Sequence, residues 1–218
     1  WVEAIAGGGL SDGEDFDGQG TSDFQDLSSV STERVGPNEG GTRWANRFAS
    51  VQAAIDDVPV GTTDPPGPIA LGDVYLPPVD GGYNETVDLS TAHQTLRGAG
   101  INSYLHGSGD HVIDTTGAND AIIEKLWADN DGTGTYDAFH IVEDESQLNN
   151  VVCDVAPRYG FYLGGRESYL GPHAYVKGGQ DSGIFVDASR CYVNAKSNDA
   201  QGDVLTIGVN GSFTTATI

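Results

Sequence analysis

The sequence predicts an all-β protein, a single-stranded right-handed parallel β-helix (a solenoid of stacked coils) with an N-terminal capping α-helix. Three observations predict it. Short apolar segments recur every 20 to 27 residues along the second half of the chain, an irregular spacing that suits a solenoid with variable side loops. Glycine is abundant, 31 of 218 residues, about double the ordinary usage of roughly 7%. One amphipathic helical stretch precedes the first repeat.

Residues 1–40 form an acidic, Gly-rich arm or linker: Gly7, Gly8 and Gly9, then Asp12, Glu14, Asp15, Asp17, Gly18 and Gly20. The segment has no helical periodicity and too little apolar character to build a core. Within it Asp15, Asp17, Gln19, Gly20, Asp23 and Asp26 stand at positions 1, 3, 5, 6, 9 and 12 of a calcium-loop template. Gln19 and Asp26 depart from the preferred ligands and no amphipathic helix flanks the loop. A Ca²⁺ site at Asp15, Asp17, Asp23 and Asp26 and a solvated acidic arm therefore both stay open, and no other cofactor is expected.

Residues 41–218 form the β-helix domain. Its helix is read over 44–58, where Trp44, Phe48, Val51, Ile55 and Val58 make one apolar stripe. Thr42 is the expected cap and Pro59 the stop, with Gln52, Asp56 and Asp57 on the wet side. A Pro-rich loop at 64–68 follows, then a strand over Asp73-Val74-Tyr75-Leu76 closed by Pro77-Pro78.

Beyond it the chain repeats. Segments beginning at Asp110, Asp137, Gly160, Gly183 and Asp203 lie 27, 23, 23 and 20 residues apart. A second family of strands falls around Leu96, Leu126, Val151-Val152, Tyr175-Val176 and Tyr192-Val193. An interval of this length matches one coil of a solenoid, whereas helical repeats and propeller blades need about 33 residues or more. In this register Cys153 and Cys191 lie about two coils, ~10 Å, apart, beyond the reach of a disulfide; two buried thiols are expected. Residues Ser212 to Ile218 begin another coil without a cap. With the opening Trp1, this leads us to expect a processed product or a piece of a longer chain, with its end covered by further chain or by a partner.

The run from Phe48 to Asp56, then Gly72-Asp73-Val74-Tyr75-Leu76-Pro77, Tyr83 and Thr95-Leu96-Arg97-Gly98-Ala99-Gly100 resembles the opening of the pectate-lyase-like right-handed β-helix superfamily. It is most similar to viral tailspike and tail-fibre members. The resemblance covers 44–218 and speaks to fold far more than to function. It implies a helix that caps the solenoid, a virion-surface location, assembly as a homotrimer with other virion proteins, and recognition of a host-surface glycan or glycoprotein. Its other implication is a secreted polysaccharide lyase or glycoside hydrolase; a host cell-surface module is a third.

Charge narrows the setting. Asp and Glu total 32 against 10 Lys and Arg, a formal net charge of -22. Self-repulsion of this size is screened within about 3 Å at roughly 1 M salt. That points to a halophilic source, a haloarchaeal tailed virus on the resemblance, with an ordinary acidic secreted protein as the alternative. A phosphate backbone needs a basic footprint that is missing, so nucleic acid is excluded as a partner. Anionic membrane surfaces are disfavoured likewise, and no apolar run approaches the ~20 residues of a spanning helix. The sequons Asn84-Glu85-Thr86 and Asn210-Gly211-Ser212 fit an extracellular setting.

Sugar chemistry needs carboxylates beside an Arg or Lys on one face. Asp110, Asp114 and Asp187, with Arg158 or Arg190 as base or clamp, are the catalytic candidates. Glu143-Asp144-Glu145, Arg166-Glu167 and Asp181 are further charged positions, and a solvated acidic face is the competing account of all of them. His111, His140 and His173 show no metal-ligand spacing; His111 and His140 sit within apolar strands and are read as hydrogen-bonded core or edge residues. If Ile184 and Val186 point inward, Phe185 turns outward, and Tyr162 lies beside it one coil away. That makes Tyr162 and Phe185 the candidate binding strip. A register slip of one residue would bury both.

Overall fold

The chain forms a parallel β-solenoid of about six turns. The structure is a computed structural model that describes residues 41–62, 68–100, 102–197, 202–211 and 215–217. Asp15, Asp17, Asp23 and Asp26 lie outside the described residues.

Each full coil carries three strands. The first row holds Gly72–Leu76, Thr95–Gly98, Ile122–Glu124, Gln147–Asn149 and Tyr169–Val176. The second holds Tyr83–Asn84, Tyr104–Gly107, Trp127–Asn130 and Val152–Cys153. The third holds Val87–Asp88, Ile113–Asp114, Phe139–Ile141, Tyr159–Leu163, Ser182–Val186 and Asp203–Ile207. The third row is the repeat read from Asp110 onward. The second family read from sequence splits instead between two rows. Leu96 and Tyr192-Val193 belong to the first, Val152 and Tyr175-Val176 to the second, and Leu126 to the corner between them. Tyr169–Val176 runs round that corner as one strand and joins the two rows, with a register shift between Leu170 and Ala174.

Alternation in each strand sends every second side chain inward. Val74, Leu96, Ile123, Leu148, Leu170 and Val193 stack as one buried column. Ile113, Phe139, Phe161 and Ile184 form another, with Phe139 and Phe161 stacked at 4.7 Å. Both cysteines are buried free thiols, Cys153 within the second-row column and Cys191 just ahead of the strand Tyr192–Ser197.

The capping helix is shorter than its apolar stripe. It spans Val51–Asp56 and buries Val51, Ala54 and Ile55. Trp44 is instead in the strand Gly41–Trp44, paired with Gly72–Leu76, and its ring meets Tyr75 edge to face at 4.9 Å. Thr42 donates to Asp73 and caps nothing. The true N-cap is Ser50, whose side chain accepts from Ala53 N–H, while the Glu85 carboxylate accepts from Val51 and Gln52 N–H. Pairing with the solenoid's open edge takes precedence over the helical period of Trp44 and Phe48.

The corner leading into the first row uses a left-handed residue in successive coils: His93, Asp120, Glu145, Glu167 and Arg190 all have φ between 57° and 62°. Each sits two residues before its strand begins.

Candidate functional site

The third row presents an outward column that the register builds one residue per coil: Asp88, Asp114, His140, Tyr162 and Phe185. Tyr162 lies on Phe185 with centroids 5.7 Å apart and planes 7° apart, and on His140 at 5.0 Å. His140 stacks in turn on His111 at 3.8 Å, and Phe185 on Tyr159 at 4.6 Å. A Cβ at Gly164 would meet the Tyr162 ring at 2.7 Å, so glycine there lets the ring lie close over the backbone. Because the rings face one another, the column turns mainly ring edges to solvent.

Charge is locked beneath the column. Asp137 is fully buried; Arg158 Nε donates to it at 2.8 Å, Arg158 also donates through its terminal amine, and Tyr159 N–H adds a third bond. The guanidinium lies 4.7 Å from the Tyr159 ring and 5.5 Å from the Tyr162 ring. The Asp137 N–H donates to His111 Nδ1 at 2.9 Å, which places the imidazole proton on Nε2. Burial, and then the neighbouring His140, push His111 below its ordinary value. Asp114 Oδ2 lies 3.1 Å from His140 Nδ1. Burial works against the Asp114 charge, but bonds from His140 and from the Thr116 side chain and backbone outweigh it and bring the carboxyl down to about 2. Asp88 is raised, by burial first and then by Asp114, Asp110 and Asp56.

His111, Asp137 and His140 offer three metal-ligating atoms within 4.8 Å of one another. The residues do not fit a metal: both Asp137 oxygens already hold Arg158, and His111 Nδ1 accepts a backbone hydrogen bond. An ion there would be placed against a guanidinium. Sequence shows Asp137 and His140 three residues apart, but His111 joins them only through stacking of the preceding coil.

Of the residues singled out in the sequence, Tyr162, Phe185, Arg158 and Asp187 come together on this face. Burial, followed by Asp187, raises the Tyr162 hydroxyl, and Asp187 accepts from Asn210 through both oxygens. Asp114 joins them through His140. Asp110 is exposed at the mouth of its strand, where its side chain accepts from His111 N–H. Arg190 is not part of the site: it is a corner residue paired with Glu167 at 2.5 Å. Asp144 pairs with Arg166 at 2.6 Å and Glu143 accepts from Gly117 N–H.

A second feature escaped the sequence reading. On the second row Tyr104 and Trp127 meet edge to face at 5.8 Å and line a cleft of about 570 Å³ with Asp80, Asp129 and Asp154. Asp129 is nearly buried; its Oδ1 accepts from Asp154 and Val155 N–H, and Oδ2 accepts from the Tyr104 hydroxyl. The aromatic residues lie 23 apart, one to a coil, and no local pattern links them. Among the described residues no helix is long and apolar enough to cross a membrane.

No family model, curated protein or solved structure matches this chain.

Proposed function

We propose that this chain is a β-solenoid projection of a virion surface, of spike or fibre type, that recognises a glycan or glycoprotein on a host surface. The observation that carries the reading is the continuous outward column from Asp88 to Phe185 with Arg158 beside it. The four spacings of ~4.8 Å between its five coils give a strip ~19 Å long, suited to an extended, hydroxyl-rich ligand that meets carboxylates at one end and ring edges at the other. Recognition fits better than turnover because Asp114, Asp137 and Asp187 are already engaged by donors within the chain. An acidic surface of this density goes with a salt-rich extracellular setting, and assembly as a homotrimer with other virion proteins belongs to the same reading.

One observation favours a second reading, a glycoside hydrolase or polysaccharide lyase: Asp88, with its raised pKa, stands in register next to the Asp114–His140 pair. A carboxyl group one coil from a carboxylate–imidazole pair is an acid–base arrangement.

The test is binding of host envelope glycans to the wild type and to the double variant Tyr162→Ser/Phe185→Ser in molar salt. At least tenfold weaker binding by the variant, with an unchanged far-ultraviolet spectrum, is the expected result. Undiminished binding removes the column from recognition. Release of reducing or unsaturated ends that disappears in Asp88→Asn or Asp114→Asn would replace the recognition reading with the enzymatic one.

A further inference from the structure

We infer that the second-row cleft beneath the turn at residues 78–82 is a separate binding site, for a sugar residue carrying a protonated amine. Its walls differ in kind from the third-row ladder. Tyr104 and Trp127 cross at 68° instead of stacking, so ring surface lines an open cleft of about 570 Å³. That volume falls in the range of roughly 300–1,000 Å³ that small-ligand sites occupy. The turn is seated directly on Tyr104: Gly82 has φ +73°, and a Cβ there would meet the Tyr104 ring at 2.6 Å. Pro78 and Val79 make an exposed apolar rim.

The polar groups select the ligand's charge. Asp129 is saturated by two backbone donors and the Tyr104 hydroxyl, so it positions that ring instead of meeting a ligand. Asp80 on the turn is exposed and has no ion-pair partner among the described residues. Asp154, on the opposite wall, is paired with Lys177 at 2.7 Å. The chain's own ammonium displays the chemistry: Lys177 Nζ stands 5.1 Å from the Trp127 ring centroid while bonded to Asp154. A protonated amine on a pyranose repeats that arrangement, and its C–H face matches the rings and the apolar rim. A uronate or phosphate would meet three carboxylates and be repelled.

The experiment is titration calorimetry with the glucosamine disaccharide and its N-acetylated counterpart, at about pH 6. Salt of about 0.5 M screens general attraction to a chain of net charge -22. The deacetylated sugar is expected to bind at least tenfold more tightly than the acetylated one. Lys177→Met, which removes the competing ammonium and frees the Asp154 carboxylate, should strengthen binding several-fold. Trp127→Ala should abolish it, and Asp80→Asn, at an exposed side chain with no hydrogen bond or ion pair among the described residues, should weaken it without changing the melting midpoint. Equal binding of the two sugars, binding of neither, weaker binding by Lys177→Met, or association that survives Trp127→Ala would each overturn the inference. The Tyr162→Ser/Phe185→Ser variant leaves this binding intact if the two sites are separate, so failure here and failure of the third-row reading are distinguishable.

Discussion

His111 and His140 lie ring on ring at 3.8 Å, and the neighbouring ring adds to the cost of protonating His111. His111 is held below its ordinary 6.5, chiefly by burial and then by His140, while Asp137 and Asp114 pull the other way and Arg158 adds to the lowering. The unfolded chain therefore binds more protons than the folded one just below pH 6.5. Stability is full above that value and falls as the pH drops beneath it. Asp114 has the same sign: its contribution is present above 3.8 and is lost as the pH falls toward about 2. In molar salt, where the general carboxylate repulsion is screened, the melting midpoint is expected to decline in two stages, one starting below pH 6.5 and one below pH 4. His111→Asn keeps an acceptor for the Asp137 N–H but removes the titrating ring. It should flatten the first stage in a thermal scan and leave the second; an unchanged first stage would show that another group governs it.

At the scale of elements, the corner column decides how coils stack. A left-handed backbone is unfavourable for residues other than Gly, Asn, Asp and His, yet Glu145, Glu167 and Arg190 all adopt it. Packing of the buried columns on either side imposes the conformation. Glu145 carries a second burden: its carboxyl is raised, first by Asp120 and further by Glu167 and Asp144. Glu145→Asn relieves both the backbone strain and the like-charge contact. It should raise the melting midpoint by a few degrees at low ionic strength and by less in molar salt, where only the conformational gain survives. Differential scanning at the two salt levels separates these parts. A lower midpoint would mean that the glutamate makes a favourable contact at the corner. The helix teaches a related lesson. Its period extends back to Trp44 in sequence, but Ser50 and Glu85 set its start, and Glu85 is 34 residues downstream of Val51.

For the whole molecule, charge dominates. With a net -22 and carboxylates repeated coil after coil, repulsion opposes the compact state until salt screens it, within about 3 Å at 1 M. Unfolding midpoints followed by circular dichroism should climb steadily from millimolar to molar NaCl or KCl. A midpoint indifferent to salt would remove the argument for a halophilic setting.

What the sequence determined by itself is the solenoid and the direction of its side chains. Inward and outward are a local matter of period two, and the interval of 20 to 27 residues counts the coils. That offered an outward Tyr162 and Phe185, with a slip of one residue as the alternative, and led to the expectation of free cysteines. Only the tertiary structure decided which outward residues become neighbours. The Asp88–Asp114–His140 column, the His111–Asp137–Arg158 cluster and the Tyr104–Trp127 cleft each join residues about one coil apart in sequence. Coil length varies, and a corner that gains or loses one residue moves every later partner. That register is set by packing of the buried columns and by the left-handed corners, whose His, Asp, Glu and Arg residues carry no turn signature a reader of sequence would recognise.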